Sequence, residues 1–553
     1  YSVIIIKRAK ERRYNMKSKK WLPPIITLVV WFGMFYWQLP ALNFHSNDFW
    51  VFLVIAAGVG IVINLWSIVE KLLSREDIQG QEKKLKLFKR FLLIPAAFAL
   101  FYCIGSLLSS PIIRSKAYYE LLKVETSNFK EDVKEVDYTQ IPILDKDSAE
   151  RLAEREMGSM VDMVSQYEVS VAYNTQINYQ TKPVRVIPLE YGDIIKWLTN
   201  RGRGIPAYIR IDMTTQDVEL VKLQEGMKYS PAEHFGRKLQ RYLRFRYPTA
   251  MFRGYNFEID DNGTPYWICP IEQKTIGLFG GTDIKGVVLV NAVTGEDIYY
   301  DVADVPQWID EVYDAGLLIQ QYDYYGTLKN GFLNSILGQR DCLQTTEGYN
   351  YIALEDDVWV YTGVTSVTGD ESNVGFVLMN QRTKETRYYL ISGAKEISAM
   401  SSAEGQVQHL GYKATFPLLL NIEGEPTYFL ALKDGAGLVK KYAMVNIQKY
   451  QIVATGDTVA ECEKTYVDLM KGSGIDTIST EKTKTITGSI TAIKDIVSDG
   501  NTLYYIMLDG KEDLFEVEVK SHLSILQKQI GDPITLEYIE DSERNVYLVL
   551  AVK

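Results

Sequence analysis

At 553 residues, the chain is longer than a single globular domain usually is, so several domains are expected. Its formal net charge of −10 is unevenly distributed: residues 1–114 hold 16 Lys and Arg against 6 Asp and Glu, a balance of +10, and the remainder holds 44 against 64, a balance of −20. An acidic part without a basic patch repels phosphate backbones, which excludes nucleic acid as an expected partner.

The N-terminal region combines a basic segment with long apolar runs. Residues 1–20 are rich in Lys and Arg, and residues 21–113 contain the runs Pro24–Leu42, Phe49–Val69 and Phe91–Ile113. A helix that crosses a bilayer needs about 20 predominantly apolar residues. The sequence therefore predicts three transmembrane helices over 21–113.

The positions of Lys and Arg predict how these helices are oriented. The link 43–48 has neither residue, whereas the loop 71–90 has seven. Because positive loops stay inside, we predict a multi-pass protein of the cell membrane, with residues 1–20 cytoplasmic and the domains after residue 113 extracytoplasmic. No charged residue lies within a predicted span, which favours a plain anchor in the lipid bilayer over a transporter or channel.

Beyond the third apolar run, short apolar segments alternate with charged and turn-forming residues. Residues 114–202 are predicted to form a connector and a first α+β segment. Apolar residues recur at helical spacing over 152–164, and the segments 168–173 and 183–189 alternate as strands do.

A strand, turn and strand pattern followed by a helical stretch then occurs twice. Short motifs fall in the same order in both copies, namely Gly263–Tyr266 with Gly424–Thr427, and Asn291 with Asn446. In the first copy, Asn262-Gly263 is a strong hairpin signal. We therefore predict duplicated β-rich α+β units at 203–315 and 371–475, separated by an inter-repeat segment, 316–370.

The first of these units resembles the PepSY-type domains of bacterial envelope proteins. The residues that carry the resemblance are Val287–Val290, Asn291, Thr294–Glu296 and Tyr299. The chain as a whole is similar to uncharacterised membrane-anchored proteins of Gram-positive bacteria. The resemblance implies a hairpin packed by a helix and an envelope location, and it implies no activity.

Residues 484–553 show the order of three strands, a short helix and two strands, which is typical of an OB-like β-barrel. Many OB folds bind oligonucleotides, but this segment holds 7 Lys and Arg against 12 Asp and Glu. We therefore expect a structural or protein-binding barrel.

No common catalytic or cofactor motif occurs. There is no His-Glu-x-x-His pair and no Gly-x-Ser-x-Gly elbow, and Gly277–Thr282 lacks the Lys of a phosphate-binding loop. The four cysteines have no metal-ligand spacing. The acidic clusters at 260–263 and 355–357 are interpreted as turns rather than calcium sites. We predict no catalytic, cofactor-binding or metal-binding residues, and expect no cofactor.

Tyrosine is abundant, with 37 residues, and three of them cluster in the inter-repeat segment. Tyr322, Tyr324 and Tyr325 are candidate protein-interface residues because tyrosine is enriched in binding surfaces. The alternative is that they pack into half-buried β-structure.

Together, these patterns predict a membrane-anchored α+β protein with three N-terminal transmembrane helices, duplicated β-rich units and a C-terminal OB-like barrel. We expect a non-catalytic extracytoplasmic scaffold or binding protein that forms a homo-oligomer and contacts an envelope protein or peptide. Two alternatives stay open: an enzyme that processes envelope peptides or glycans, and an accessory subunit of a membrane complex.

Overall fold

The computed structural model describes residues 23–73, 78–135, 141–367, 372–473, 484–498, 501–511, 513–519, 522–541 and 546–552. The chain divides into two bodies, residues 1–469 and residues 470–553. In the first body, helices occupy the N-terminal part and antiparallel sheets follow from residue 167 onwards.

Helices precede the first large sheet. Those among the described residues are α1 (23–38), α2 (Asn47–Leu73), α3 (Ile78–Leu108), α4 (Pro111–Tyr119) and α5 (Phe129–Asp132), with the short strand β1 (Glu125–Thr126) before α5. α2 and α3 pack against each other. Residues 1–20, predicted as a basic cytoplasmic segment, lie outside the described residues.

Within the described residues, no single helix is both long enough and apolar enough to cross a bilayer. One bent pair, Leu93–Leu108 with Pro111–Tyr119, satisfies the requirements of length and composition only when both helices are counted, and the two are bent by 47°. The predicted three transmembrane helices over 21–113 are therefore wrong, and so are the membrane-anchored fold class and the multi-pass location. The reason is local: the first apolar run leaves the helix after residue 38, and the last one bends at Ser109 and Ser110.

The described residues between 146 and 456 form four modules with one topology. In each module a helix precedes five strands, and the first two strands both pair with the third. The third, fourth and fifth strands then form an antiparallel meander. We name them module A (146–227), module B (239–301), module C (315–389) and module D (396–456).

The elements of module A are α6 (Lys146–Ser159), β2 (Tyr167–Val169), β3 (Thr175–Tyr179), β4 (Lys182–Tyr191), α7 (Ile194–Asn200), β5 (Ile205–Asp212) and β6 (Val218–Met227). Those of module B are α8 (Leu239–Arg246), β7 (Met251–Phe252), β8 (Asn256–Ile259), β9 (Pro265–Ile276), β10 (Gly280–Asn291) and β11 (Asp297–Asp301).

The elements of module C are α9 (Ala315–Leu328), β12 (Leu343–Thr345), β13 (Asn350–Leu354), β14 (Asp357–Ser366), β16 (Gly375–Asn380) and β17 (Thr386–Tyr389), with the accessory pair β15 (Ser372–Asn373) and β18 (Gly393–Ala394). Those of module D are α10 (Glu396–Gln406), β19 (Lys413–Ala414), β20 (Leu418–Ile422), β21 (Glu425–Lys433), β22 (Val439–Asn446) and β23 (Val453–Gly456), followed by α11 (Val459–Gly472).

The sheet of module B is buried on both faces. Val288 and Val290 of β10 belong to a core shared with module A, whereas Val287 and Leu289 belong to a core shared with module C. Successive residues of a strand point to opposite faces of a sheet, so both faces must be apolar here. Two-sided burial therefore accounts for the unbroken apolar run 287–290.

The predicted units cut across these modules. The hairpin β5–β6, with which the unit 203–315 begins, completes the sheet of module A, because β5 pairs with β4. The predicted inter-repeat segment, 316–370, likewise contains the helix and first three strands of module C. The described modules A to D thus divide the chain at points other than 203, 371 and 475, whereas module C begins at Ala315, where the first predicted unit ends.

The second body contains a closed five-stranded barrel. Its strands are β24 (Lys484–Ser498), β25 (Asn501–Leu508), β26 (Phe515–Glu518), β27 (Pro533–Asp541) and β28 (Val546–Val552), in the spatial order β24-β25-β26-β28-β27. A 3-10 helix, Leu523–Gln527, connects β26 to β27. Phe515 and Ile525 are among the side chains that fill the barrel. The OB-like and PepSY-like resemblances stay predictions.

Candidate functional site

The fifth strand of each module forms an outer edge of its sheet, and in module C this edge is extended by another part of the chain. β1 pairs in parallel with β17, with Glu125 opposite Arg387 and Thr126 opposite Tyr388. The Ser127 N–H continues the contact and donates to the Tyr388 carbonyl at 3.0 Å. The outer edge of this module type can therefore accept an added strand.

In module A, the equivalent strand β6 pairs with no strand on its outer side within the described part of the chain. β6 has 10 residues, compared with five in β11 and four in β23. An unpaired strand presents a row of backbone N–H and C=O groups to any extended chain. Among the open outer strands of modules A, B and D, β6 of module A is therefore the longest.

Side chains along β6 combine charge with partly buried apolar groups. Val221 and Leu223 pack against the module A core, whereas Lys222 is exposed. Glu219 is also exposed, and its Oε2 lies 2.6 Å from Nη2 of Arg210 on the neighbouring strand. The edge thus carries both signs of charge within four residues.

A second feature is a cluster of buried acids where modules A, B and C meet. Glu258 of β8 is fully buried, and its two carboxylate oxygens accept the N–H groups of Asp310 and Glu311, each at 2.9 Å. Asp310 is also buried, and its Oδ2 accepts the Asn178 N–H at 2.7 Å. Asp310 Oδ1 makes no hydrogen bond within the described residues.

Burial dominates the electrostatics of this cluster. It raises the pKa of Glu258 to about 7, although the N–H groups of Asp310 and Glu311 oppose the shift. It also raises the pKa of Asp310 well above the usual range, and the charge of Glu258 adds to the effect. Two adjacent carboxyl groups in a low-dielectric site disfavour double ionisation, so the pair retains a proton at pH values where exposed acids have lost theirs.

The geometry favours a structural role for these acids over catalysis. A general acid must reach the atom that it protonates. Glu258 has no exposed surface, and both of its oxygens are bound to the backbone. Its carboxylate therefore fixes the segment between β11 and α9 on the sheet of module B.

A buried ion pair supports the same junction from module C. Arg382 donates two hydrogen bonds to the Asp357 carboxylate, from Nε to Oδ1 at 2.7 Å and from Nη2 to Oδ2 at 2.8 Å. Asn380 donates to Asp357 Oδ2 at 2.7 Å, and Gln307 donates to Oδ1 at 3.2 Å. Because Asp357 is only 5% exposed, this network supplies the donors that its charge requires.

The three candidate interface tyrosines have different environments. Tyr322 is 1% exposed and lies in the core shared by modules B and C, so it is not available to a second protein. Tyr324 packs edge-on against Tyr118, with ring centroids 4.7 Å apart, and Tyr325 stacks on Tyr119 at 5.1 Å. The cluster therefore packs largely against helix α4 of the same chain.

The acidic clusters occupy hairpin turns. Asp260 Oδ1 accepts the N–H groups of Asn262 and Thr264, and Gly263 has a φ of 79°. Glu355 and Asp356 form the turn between β13 and β14, both with positive φ. In the regions that the structure describes, no group of three or more His, Cys, Asp or Glu side chains is arranged to hold a metal ion.

The module boundaries could have been found from a six-residue pattern at the end of the fourth strand. The pattern is Asp or Asn, two residues, Thr, one residue, and Asp or Glu, and it occurs at Asp212–Asp217, Asn291–Glu296 and Asn380–Glu385. It would have assigned β6 to an outer edge. Nothing in the local sequence predicts the burial of Glu258, because its partners lie about 50 residues further along the chain.

No protein-family model matches the chain, and no curated protein matches it. A crystal structure titled an endo-1,4-beta-xylanase, from Bacteroides thetaiotaomicron, aligns with a TM-score of 0.15 and 12% identity, over 68% of this chain and 94% of that chain. A likeness this low carries no argument about fold or function.

Proposed function

We propose that the chain is a non-catalytic scaffold or binding protein that associates with a second copy of itself through β6. The observation that carries this proposal is the contrast between two equivalent edges. In module C the outer strand β17 is extended by β1, whereas in module A the longer outer strand β6 is open within the described residues.

The apolar residues of β6 favour a second copy as the occupant. Directly opposed residues of an antiparallel pair lie on the same face of the sheet, so a twofold pair of β6 strands is centred on a single residue. Centred on Val221, it places Val221 of one copy opposite Val221 of the other, and Leu220 opposite the aliphatic stem of Lys222. Apolar residues that face each other directly across two strands contribute about 0.2–1 kcal/mol.

A twofold contact of this kind is self-complementary, as the commonest homodimer interfaces are. It also covers a strand edge that would otherwise remain open to unspecific pairing. Joining two copies along module A would leave modules B, C and D of each copy for other partners, which supports the proposed scaffold role.

Light scattering of the full chain over a range of concentrations tests the proposal. We expect a mass of twice 63.1 kDa that dissociates on dilution. Val221→Glu should weaken association by at least about tenfold, because it places two Glu side chains opposite each other across the twofold axis. Val221→Thr keeps the β-branched shape and adds no charge, so it should associate nearly as the unmodified chain does.

Lys494→Glu, an exposed reversal on barrel strand β24, is the matched control and should leave the mass unchanged. A chain that is monomeric at every concentration would overturn the proposal. So would a Val221→Glu variant that associates as tightly as the unmodified chain, since that result removes contact across β6 as the cause.

A further inference from the structure

Two segments of modules A and B carry a strong positive charge on a chain that is acidic overall. Residues 194–203, which include α7, hold three Lys and Arg, and residues 234–246, which include α8, hold five. Neither segment contains Asp or Glu, whereas residues 115–553 as a whole have a balance of −20. We name these two segments the α7–α8 surface.

Direct contacts join the two segments. The Trp197 and Phe235 ring centroids lie 5.9 Å apart, and Arg237 Nη1 donates to the Arg201 carbonyl at 2.8 Å. The buried Glu233 accepts Trp197 Nε1 at 2.8 Å, which fixes α7 to the segment that precedes α8. The segments therefore form one continuous surface, although about 30 residues separate them in the sequence.

The outward side of α7 is apolar. Ile194, Ile195 and Leu198 are each more than half exposed, whereas Trp197 is buried. Positions i, i+1 and i+4 of a helix lie close together, so the three aliphatic side chains are neighbours. A surface helix normally turns its apolar face to the core and its polar face to water. A contiguous exposed apolar patch of this kind is typical of an interaction surface.

Phe235 adds an aromatic ring to this patch. Its side chain is 63% exposed, and its φ of 51° lies in the left-handed region, which bulky residues rarely adopt. Arg241 Nη1 donates to the Phe235 carbonyl at 3.0 Å and so supports this backbone conformation. The fold therefore holds the ring on the surface beside α7.

Most cations of the α7–α8 surface have no counter-ion. Lys196 lies 3.4 Å from Asp193, Arg246 lies 2.6 Å from Asp297, and Arg244 is buried. The other five form no ion pair with a carboxylate within the described residues: Arg201, Arg203, Arg237, Lys238 and Arg241. Their charge is therefore available to attract an anionic partner.

The end of α1 lies beside the same surface. Arg241 Nε and Nη2 each donate to the Tyr36 carbonyl at 3.4 Å, and the Arg241 guanidinium lies 3.9 Å from the centroid of the Tyr36 ring. Trp37, the next residue, is 82% exposed. Tryptophan is enriched where lipid headgroups meet acyl chains, so Trp37 extends the apolar patch with a side chain suited to that boundary.

The combination of cations with exposed aliphatic side chains favours a lipid surface over nucleic acid. Nucleic acid would occupy the cations, but its bases stack on aromatic rings and would leave Ile194, Ile195 and Leu198 in water. An anionic bilayer offers phosphate groups to the cations and an apolar boundary to the aliphatic side chains. It matches both parts of the surface.

We infer that the α7–α8 surface docks on a bilayer surface that contains anionic phospholipids. Ile194, Ile195, Leu198 and Phe235 enter the boundary between headgroups and acyl chains, and the unpaired cations contact the headgroup phosphates. This contact lies at the surface of the bilayer and requires no helix that crosses it. It is also separate from β6, so it does not depend on association of two copies.

Sedimentation of the full chain with vesicles tests this inference. One set of vesicles contains phosphatidylglycerol and phosphatidylcholine in equal parts, and the other contains phosphatidylcholine alone. We expect the anionic vesicles to bind at least about tenfold more tightly, and added salt to weaken this binding. Equal binding to both sets would overturn the inference. Equally effective competition by single-stranded DNA would also overturn it, because the surface would then select only for polyanions.

Two exposed aliphatic residues test the apolar part of the contact. Ile195→Gln combined with Leu198→Gln should weaken binding to the anionic vesicles by at least about tenfold, with an unchanged melting temperature. Ile397→Gln, at an exposed isoleucine on helix α10 of module D, is the matched control and should bind as the unmodified chain does. Unchanged binding by the paired variant would contradict the docking surface.

Two exposed arginines test the charged part. Arg201→Glu combined with Arg203→Glu should also weaken binding to the anionic vesicles by at least about tenfold. Lys449→Glu, at an exposed residue of module D, is the matched control and should have little effect. Equal losses for the paired variant and the control would show that overall charge, and not this surface, determines the binding.

A fluorescent label reports the contact at α7 itself. Cys103 is exposed and the other three cysteines are buried, so Cys103→Ser leaves no exposed thiol. In that background, Leu198→Cys labelled with nitrobenzoxadiazole should shift its emission to the blue when anionic vesicles are added. Ile397→Cys with the same label should show no shift. A label at position 198 that stays in water while the chain binds vesicles would overturn the inference.

Discussion

Asp212 and Asn291 occupy equivalent positions in two different sheets and make equivalent hydrogen bonds. Asp212 Oδ1 accepts the N–H groups of Thr214 and Thr215 at 2.8 and 3.1 Å. Asn291 Oδ1 accepts those of Val293 and Thr294, both at 2.9 Å. One acceptor atom therefore organises the turn into the fifth strand in modules A and B.

This equivalence predicts how Asp212 tolerates substitution. Asp212→Asn keeps the oxygen that Asn291 uses and should change the free energy of unfolding by less than about 0.5 kcal/mol. Asp212→Ala leaves two turn N–H groups without their acceptor and should cost about 1–2 kcal/mol. Urea denaturation at neutral pH measures both, and equal losses for the two variants would contradict the acceptor role.

Glu258 predicts a dependence of stability on pH. Its pKa rises on folding, from about 4.3 in the unfolded chain to about 7. A carboxyl group with a raised folded pKa contributes stability that is fully present below the unfolded pKa and is lost as pH rises through the folded pKa. Between about pH 4 and pH 7, the unmodified chain should therefore lose stability relative to Glu258→Gln.

The slope of that loss is at most about 1.4 kcal/mol per pH unit for one proton. Denaturation at several pH values gives the slope for both chains. Glu154→Gln, on the exposed face of α6, is the control and should show no such divergence. If the unmodified chain instead gained stability over Glu258→Gln as pH rose, the raised pKa would be wrong.

The burial of Tyr322 predicts that its loss destabilises the core of modules B and C. Tyr322→Ser should lower the free energy of unfolding by about 3–5 kcal/mol, the range for truncating large aromatic core residues. Tyr325→Ser should cost less because Tyr325 is half-buried. Tyr450→Ser, at a residue that is 52% exposed, should remain within about 0.5 kcal/mol. Equal costs in urea denaturation would contradict this ranking.

The Asp357–Arg382 pair predicts a strongly non-additive result. Arg382→Met leaves a carboxylate that is 5% exposed without its counter-ion and should cost about 3–5 kcal/mol. Asp357→Asn combined with Arg382→Met removes the orphaned charge and should recover part of this loss. A double-mutant cycle in urea measures the coupling. Costs that simply add would show that the pair is not coupled.

Because β1 covers the outer edge of module C, weakening its pairing should open that edge locally. Ser127→Pro removes the N–H that donates to the Tyr388 carbonyl. We expect faster hydrogen exchange over 386–389, with an unchanged melting temperature for the whole chain. Ser127→Ala keeps the N–H and is the control. Unchanged exchange in Ser127→Pro would show that the added strand does not protect this edge.

The sequence by itself determined the local elements of this protein. Asn262-Gly263 predicted the turn between β8 and β9, which the pairing of Ile259 with Pro265 confirms. Turn residues and alternation act over a few neighbours, so they are readable without any knowledge of the rest of the chain. The apolar run 287–290 was likewise identified as a strand.

Only the tertiary structure decided which sheet each strand joins and which groups are buried. The hairpin β5–β6 has the same local pattern whether it begins a module or ends one, and its pairing with β4 depends on contacts across the chain. The apolar runs before residue 114 met a requirement of length and composition, but the first leaves the helix after residue 38 and the last bends by 47° between Leu108 and Pro111. Glu258 and Arg244 look like ordinary surface residues in the sequence, and their environments arise from segments about 50 and 200 residues away, which no local pattern encodes.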